Sequence, residues 1–484
     1  MDTPSFKEDH ISQIPALQML QKLGYTYLLP EEAMQFRSGK TTQVLLEDVL
    51  RKQLKEINSI KISSTKTSVF SDANIETGIQ ALKNLPTNEG YIAACEAAYN
   101  LLTLGKALEQ SVDGDKKSFT LRYIDWENLE NNVFHVTEEY NVMRSNSKEH
   151  YRPDIVLFVN GIPLCVIECK RPDMKEPLTQ AISQHLRNQQ EDGIRALYVY
   201  AQPILSIATD YCAFATNATE PKFWAKWQEK FNSPEEEEHY KKTLQDLRNQ
   251  PLDAEQKNKL FSERFKYVRT YFDALENENI LPTKQDEYLY GLCRPERILD
   301  FTFNFVVFDD GEKKIARYQQ YFAIKKTMKR IQTPLSFGEG AGVRRQGGVI
   351  WHTQGSGKSL TMVMLAQAIA LDKNIRNPKI ILVTDRVDLD DQITGTFRKC
   401  GRFVENATTG QRLVELLESK SDAVITSVIN KFDAAIRKIQ KPLESHDIFV
   451  LVDEGHRTQH GTFNIDMQKT LPNACFIAMT GTPL

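Results

Sequence analysis

A glycine-rich turn at residues 355–359 most constrains how this 484-residue chain can fold. The turn reads Gly-Ser-Gly-Lys-Ser and lies between an apolar segment that ends at Trp351 and a helix-forming segment over 360–371. Glycines let backbone N–H groups approach phosphates, a lysine neutralises phosphate charge, and a hydroxyl can hold magnesium. The succession of strand, turn and helix therefore predicts an α/β sheet with a phosphate-binding loop.

Apolar segments of strand length alternate with helix-forming segments from residue 348 onwards. Such alternation is typical of a parallel sheet covered on both faces, so each strand is predicted to be buried. The predicted strands span 348–351, 379–384, 423–426, 448–452 and 475–479.

An acidic pair, Asp453-Glu454, follows the predicted strand 448–452. Alone, the pair is equally typical of a turn at a strand end. With the phosphate loop upstream, it indicates ATP hydrolysis, with Asp453 holding Mg²⁺ and Glu454 orienting the attacking water. The loop carries His352 where the strict pattern has glycine. The residues predicted to bind the nucleotide in the loop are Thr353, Gly355, Ser356, Gly357, Lys358 and Ser359, and Ser359 is also a predicted Mg²⁺ ligand.

A second group of chemically significant residues, Asp154, Glu168 and Lys170, lies far upstream. Carboxylates that hold Mg²⁺ and a lysine that positions or activates water are what metal-dependent phosphodiester cleavage requires. Glu168 and Lys170 are two residues apart, so on a strand they face the same way. Taken alone, the three residues are more typical of surface charges on an edge strand.

The geometry of this second group depends on a predicted hairpin. Apolar strands at 155–159 and 162–167 flank Asn160-Gly161, a strong signal for a two-residue turn. An ideal turn sets Asp154 opposite Ile167, which would place the carboxylates of Asp154 and Glu168 on opposite faces. We therefore expect a β-bulge or a longer turn to shift the register if the two acids share a metal ion.

Composition excludes several classes of protein. The net charge is −3, no apolar stretch approaches a membrane span, and the N-terminus lacks a secretory signal. Seven cysteines without a CxxC pair argue against disulfides or structural zinc and favour a reducing cytoplasm.

The sequence also predicts three further elements. Residues 177–191 are predicted to be helical, 196–201 a strand, and 232–262 a polar, helical linker or excursion.

An ordered set of motifs runs along the chain: Asp154 to Glu168-Cys169-Lys170, Leu292 to Arg297, Arg317 to Tyr321, Trp351 to Ser359, Val383 to Arg386, Asp453 to His456, and Thr480 to Thr482. This set resembles superfamily 2 helicases and translocases, and within them the restriction (motor) subunit of type I restriction-modification enzymes.

The resemblance implies a mixed-sheet, restriction-endonuclease-like domain at 1–231, a helical linker at 232–295, and a RecA-like parallel-sheet lobe at 296–484. It implies that Gln319 reads adenine, that Thr384 to Arg386 and Thr426 lie towards the DNA backbone, and that His456, Thr480 and Thr482 couple hydrolysis to movement. Gln184 is expected in the nuclease site as the first residue of a Gln-x-x-x-Tyr motif, although Asn188 replaces the tyrosine.

The implied partners are double-stranded DNA and the specificity and methylation subunits, in a prokaryotic cytoplasm. A stand-alone repair helicase-nuclease and a DNA-binding scaffold with an inert nuclease site stay open as alternatives. The resemblance also implies two RecA-like lobes, of which the second is absent from these residues. We therefore expect weak ATP binding and little hydrolysis from this chain alone.

Overall fold

The computed structural model describes residues 8–61, 67–112, 114–333, 345–351, 357–375, 377–384, 404–407, 409–419, 423–439, 441–453 and 462–481. Two compact units form within the chain. The first comprises residues 1–306 and 312–315, and the second comprises 307–311 and 316–484. The residues assigned above to a helical linker, 232–295, belong to the first unit, while the domain boundaries at 231 and 295 stay predictions.

A six-stranded mixed sheet forms the centre of the first unit, in the order β1-β6-β9-β10-β11-β12. Strands β1/β6 and β10/β11 are parallel, and the other neighbours are antiparallel. The described strands of the first unit up to residue 215, including the separate pairs β2/β3, β4/β5 and β7/β8, are β1 Thr26–Tyr27, β2 Ser59–Lys61, β3 Thr67–Val69, β4 Lys106–Val112, β5 Asp115–Leu121, β6 Phe134–Glu138, β7 Val142–Met143, β8 His150–Tyr151, β9 Ile155–Val159, β10 Ile162–Cys169, β11 Ile204–Ala208 and β12 Tyr211–Ala215. Every residue of the central strands β9 and β10 is buried.

Helices cover this sheet, and α6 packs against β10, β11 and β12. The helices of the first unit are α1 Ile14–Lys22, α2 Pro30–Gln35, α3 Glu47–Ile57, α4 Asp72–Lys83, α5 Tyr91–Leu104, α6 Pro177–Asn188, α7 Arg195–Tyr198, α8 Pro234–Asn249, α9 Ala254–Leu260, α10 Arg269–Leu275, α11 Lys284–Tyr288 and α12 Pro295–Asn304. A π-helical turn, Asp9–Gln13, precedes α1.

The β9–β10 hairpin has the predicted two-residue turn. Asn160 and Gly161 both have positive φ angles, 52° and 82°, as a type I′ turn requires. A Cβ atom at Gly161 would lie 2.6 Å from the carbonyl oxygen of Leu46, which explains why the turn carries glycine beside the start of α3. The Gly161 carbonyl in turn accepts a hydrogen bond from the Leu46 N–H.

The prediction of a strand at 196–201 is wrong. Residues 195–198 form α7, and the strand that follows is β11 at 204–208. The run Ala-Leu-Tyr-Val-Tyr-Ala is apolar throughout, and periodicity alone cannot distinguish a buried strand from a short buried helix.

A six-stranded parallel sheet forms the centre of the second unit, in the order β15-β20-β19-β16-β18-β17. β14 Glu312–Ile315 belongs to the first unit, whereas residues 307–311, which include most of β13 Val306–Asp309, belong to this second unit. Its strands are β15 Gly348–Trp351, β16 Lys379–Thr384, β17 Val404–Asn406, β18 Ala423–Val428, β19 Ile448–Asp453 and β20 Cys475–Thr480, and its helices are α13 Tyr318–Gln332, α14 Lys358–Leu371, α15 Gly410–Glu418, α16 Ile429–Ile436 and α17 Thr462–Thr470.

The parallel sheet is confirmed, but the prediction that all its strands are buried is wrong for β15. Val349 and Trp351 are exposed there, because β15 lies at an edge of the sheet within the described residues. None of the helices that the structure describes is both long and apolar enough to cross a bilayer.

Candidate functional sites

A β-bulge in the β9–β10 hairpin brings Asp154 level with Glu168. Near the turn, Val159 pairs with Ile162; beyond a register shift between Pro163 and Cys165, Ile155 pairs with Ile167. Leu164 is the extra residue. The shift predicted from sequence is confirmed, and it places Asp154, the residue before β9, opposite Glu168 rather than Ile167.

The Lys170 side chain lies among oxygen atoms at the end of this hairpin. Its Nζ lies 2.6 Å from the carbonyl oxygen of Cys169, and 3.5 Å from both Asp154 Oδ2 and Glu8 Oε1. Burial alone would lower the pKa of Lys170, but the carboxylates of Asp154, Glu8 and Glu168 outweigh it and raise that pKa. Lys170 therefore stays an ammonium group that can stabilise phosphate charge.

Asp154 is fixed by hydrogen bonds to the neighbouring backbone. The N–H of Cys169 donates to Asp154 Oδ2 at 2.6 Å, and the side-chain amide of Gln13 donates to the Asp154 carbonyl at 2.9 Å. The Asp154 carboxylate is thus held by β10, the strand that carries Glu168.

Glu168 is fully buried, and each of its carboxylate oxygens accepts a hydrogen bond from α6. Gln184 Nε2 donates to Oε2 at 2.5 Å, and Asn188 Nδ2 donates to Oε1 at 3.1 Å. The two amides are four residues apart and so share one helix face. Burial, with the Asp154 carboxylate nearby, raises the pKa of Glu168 well above its ordinary value.

The donor set fits a hard divalent cation such as Mg²⁺. The carboxylates of Asp154 and Glu168 and the Cys169 carbonyl lie around one position, beside the Lys170 ammonium group. Mg²⁺ prefers oxygen ligands and usually takes one or two carboxylates. No three His, Cys, Asp or Glu side chains among the described residues form a metal-binding cluster. A cation here would be held by Asp154, Glu168 and the Cys169 carbonyl.

Three residues at this site were missed or left open by sequence reasoning. Glu8 and Gln13 lie about 150 residues before the motif in sequence, and no spacing rule links them to it. Asn188 stands where the resemblance predicts a tyrosine, and its position four residues after Gln184 is the signal that places it on the same helix face.

The second site forms where α14 begins and β19 ends. Gly357 caps α14 with φ 82°, and the first helical residue, Lys358, places its Nζ 2.7 Å from Asp453 Oδ1. Ser359 is the next residue of α14. The two halves of the predicted nucleotide site, separated by about a hundred residues of sequence, are thus in direct contact.

Two adjacent glutamines on α13 differ in their surroundings. Gln319 is exposed, whereas Gln320 is buried and its Nε2 donates to the carbonyl of Gly357 at 3.2 Å and to Thr361 Oγ1 at 3.1 Å. Gln320 therefore supports the end of the phosphate loop. Adenine reading by Gln319 stays a prediction, and Gln320 becomes a second candidate for contact with the nucleotide.

The remaining predicted motor residues lie partly outside the described residues. Thr384, Asp453 and Thr480 end three parallel strands, so they share the carboxyl edge of the sheet, the edge at which ligands bind in such sheets. Thr426 lies within β18, paired with Leu382 of β16. The predicted residues that fall outside the described residues are His352, Thr353, Gly355, Ser356, Asp385, Arg386, Glu454, His456 and Thr482.

The region that contains the first site and the region that contains the second site each match a known family model. The model for the type I restriction enzyme R protein N terminus matches residues 5–268, more than half of the chain. The chain belongs to this family. A second model, that of the SWI2/SNF2 ATPase, matches residues 319–484, which contain the phosphate loop and β19.

Curated relatives agree with this assignment. The putative type I restriction enzyme MjaIXP endonuclease subunit of Methanocaldococcus jannaschii is 27% identical over all of this chain and 43% of its own length. The HindI endonuclease subunit of Haemophilus influenzae is 28% identical over 99% of this chain and 42% of its own. The chain thus spans about two fifths of the length of these relatives.

Among solved structures, the SWI2/SNF2 ATPase core of Sulfolobus solfataricus in complex with double-stranded DNA has a TM-score of 0.26 and 13% identity, covering 34% of this chain and 31% of that one.

Proposed function

We propose that this chain carries the nuclease region and the first motor region of a type I restriction subunit that translocates DNA with ATP and cuts it with Mg²⁺. The observation that carries the nuclease half is the bulged hairpin, which sets Asp154 level with Glu168 and beside Lys170. Family membership supports the same reading.

In the proposed nuclease reaction, each residue has a distinct role. Asp154 and Glu168 hold the cation, and a bound Mg²⁺ would supply Lewis-acid stabilisation of the scissile phosphate. Lys170 positions water and stabilises phosphate charge, since its carboxylate neighbours keep it protonated. Gln184 orients the Glu168 carboxylate through its bond to Oε2.

In the proposed motor reaction, Lys358 neutralises the phosphates of ATP, while Ser359 and Asp453 hold the magnesium ion that accompanies it. The observation that supports this assignment is the contact between Lys358, at the start of α14, and Asp453, at the end of β19. Glu454 orients the attacking water, and His456 couples hydrolysis to movement.

The proposed partners are double-stranded DNA and the specificity and methylation subunits, in the cytoplasm of a prokaryote. Membership of the R protein family and the names of the relatives, which are endonuclease subunits of Methanocaldococcus jannaschii and Haemophilus influenzae, support this assignment. Co-purification of methylation and specificity subunits with the full-length protein would separate this function from that of a stand-alone repair enzyme.

The test uses the full-length subunit assembled with its partners on circular DNA. Asp154→Asn, Glu168→Gln and Lys170→Met are each expected to lower the rate of DNA cleavage by roughly a hundredfold or more, since each removes a charge from the reaction centre. ATP hydrolysis, measured as phosphate release in the same samples, is expected to persist.

Asp173→Asn is the matched control, because Asp173 is a solvent-accessible carboxylate three residues after Lys170 that pairs only with Arg171 among the ion pairs of the described residues. This variant should cleave normally. A Glu168→Gln enzyme that cut DNA at the normal rate would exclude this nuclease site and assign cutting to other residues of the assembled enzyme.

A further inference from the structure

A chain of buried hydrogen bonds leads away from Glu168 into the core of the first unit. Asn188 Nδ2 lies 3.1 Å from Glu168 Oε1 and 3.5 Å from the Tyr198 hydroxyl. The hydroxyl lies 2.9 Å from His185 Nδ1, and His185 Nε2 lies 2.9 Å from the carbonyl oxygen of Leu205. All the side chains in this network are buried.

The direction of each hydrogen bond follows from the last acceptor. The Leu205 carbonyl can only accept, so His185 Nε2 must donate. A neutral imidazole then has an acceptor at Nδ1, and complete burial, which lowers the pKa of His185 to about 3, keeps the ring neutral. The Tyr198 hydroxyl therefore donates to Nδ1, and its oxygen is left to accept from Asn188.

This direction determines which end of the Asn188 amide faces Glu168. If the Asn188 amide were flipped, its Oδ1 would face a carboxylate oxygen of Glu168, and two acceptors would meet. The Tyr198 hydroxyl could not stabilise the flipped amide by donating to it, because its hydrogen is already donated to His185. The unflipped amide gives one N–H to Glu168 and one to Tyr198, which uses both of its donors. Tyr198, together with Arg187, whose Nη2 donates to Asn188 Oδ1 at 3.4 Å, therefore selects the orientation in which Asn188 donates to Glu168.

We propose that Tyr198 and His185 are positioning residues for the nuclease reaction: through Asn188 they hold the Glu168 carboxylate in the orientation that binds the divalent cation. The proposal rests on the function proposed above and deepens it. It also assigns a role to Asn188, whose residue type departs from the expected tyrosine: the phenol that interacts with this asparagine comes instead from α7, ten residues later in the chain.

The test is the Mg²⁺ dependence of DNA cleavage by the assembled full-length enzyme. Tyr198→Phe removes only the hydroxyl, and the Mg²⁺ concentration for half-maximal cleavage should rise about tenfold, the usual scale for losing a partner that orients a metal ligand. Saturating Mg²⁺ should recover most of the maximal rate, because Tyr198 is fully buried and its hydroxyl contacts Asn188 and His185.

Tyr200→Phe is a closely matched control. Its hydroxyl is also buried and donates to a backbone carbonyl, that of Leu82, at 2.6 Å. This variant loses the same chemical group two residues away, so any general loss of stability should appear in it too. A shift in Mg²⁺ dependence shared by both variants, or absent from a folded Tyr198→Phe enzyme, would overturn the proposal.

Direct cation binding gives a readout that does not depend on cleavage. Free Mn²⁺ is measured by electron paramagnetic resonance in nucleotide-free full-length subunit, and the Asp154→Asn protein defines the signal from other sites. His185→Gln and Tyr198→Phe should each weaken the affinity for Mn²⁺ obtained from this difference about tenfold. If Tyr198→Phe fails to fold, Mn²⁺ binding by His185→Gln tests the proposal: unchanged binding would contradict it.

Failure of the inference and failure of the proposed function have different signatures. If Asp154→Asn and Glu168→Gln abolish cleavage while Tyr198→Phe leaves the Mg²⁺ dependence unchanged, the positioning roles of Tyr198 and His185 are wrong and the nuclease assignment stands. If Glu168→Gln also cleaves normally, the nuclease assignment itself is wrong.

Discussion

At the scale of single residues, the contrast between Gln319 and Gln320 separates two roles that the sequence cannot distinguish. Gln320→Ala removes the support of Gly357 and Thr361, so it should weaken binding of ATP and GTP alike, by about three- to tenfold for one or two hydrogen bonds. Gln319→Ala should instead reduce the preference for ATP over GTP if Gln319 reads adenine. Nucleotide titrations of the full-length subunit measure both.

The opposite result would also be informative. If Gln320→Ala alone changed the ratio of ATP to GTP affinity, the adenine-reading role would belong to the buried glutamine. Arg317-Tyr318-Gln319-Gln320 offers two glutamines in succession, and only the tertiary contact with α14 tells them apart.

Lys313 on β14 should give the first unit a specific alkaline pH dependence. It is buried, donates to the carbonyl of Ala201 at 2.7 Å, and burial lowers its pKa from about 10.5 to about 8. Between these two pH values the unfolded chain binds a proton that the folded chain does not, so stability conferred at this position rises with pH. Lys313→Met should abolish that rise.

Calorimetric unfolding of the whole chain between pH 7.5 and 10.5 would measure this, with all other titrating groups common to the proteins compared. Lys314→Met, a change at the neighbouring, less buried lysine that pairs with Glu312, is the control. Parallel stability profiles for the wild type and Lys313→Met would contradict the prediction.

At the scale of elements, the β9–β10 turn should tolerate substitution far less than an equivalent turn elsewhere. Gly161→Ala adds a Cβ at φ 82°, which costs about 1–2 kcal/mol, and also forces overlap with the backbone of α3, which costs about 1–3 kcal/mol more. Gly311→Ala, in the β13–β14 turn at φ 73°, meets no atom within 4 Å. Gly311→Ala should therefore lower stability only by the cost of the positive φ angle.

Midpoints of thermal unfolding for the two variants give the comparison. A larger loss of stability for Gly161→Ala is expected, and equal losses would show that α3 moves aside at little cost. Gly161→Ala should also reduce cleavage more than ATP hydrolysis, because the turn precedes the bulge that sets Asp154 level with Glu168.

Much of this element structure could be predicted from sequence, and the exceptions share a physical cause. The hairpin, its register shift, α6 and the parallel sheet follow from local signals: Asn160-Gly161, the positions of two acids, and apolar periodicity. The helix at 195–198 and the exposed face of β15 do not, since both depend on which other elements pack against them. The same holds for Asn188, whose interaction with Tyr198 depends on where α7 packs.

At the scale of the whole molecule, the two sites lie in separate compact units, and cutting should still depend on the motor. Lys358→Ala removes the ion pair with Asp453 and the neutralisation of the nucleotide phosphates. In the assembled enzyme it should abolish ATP hydrolysis, translocation and double-strand cleavage, although Asp154, Glu168 and Lys170 remain intact.

Lys373→Ala, at an exposed lysine just after α14, is the control and should behave as wild type. ATP-dependent cleavage at distant sites by the Lys358→Ala enzyme would disprove the dependence of cutting on the motor. Glu168→Gln provides the reciprocal test, because it should translocate DNA without cutting it.

The extra residue in the β9–β10 hairpin also follows a parity rule. Across a two-residue turn without bulges, paired residues are separated by an odd number of positions, whereas Asp154 and Glu168 are fourteen apart. An even separation can form a pair only if the hairpin contains an odd number of single-residue bulges. A one-residue deletion anywhere between the two acids would therefore have to be offset by loss of the bulge at Leu164, and a relative whose acids are thirteen apart across the same turn should have a regular hairpin.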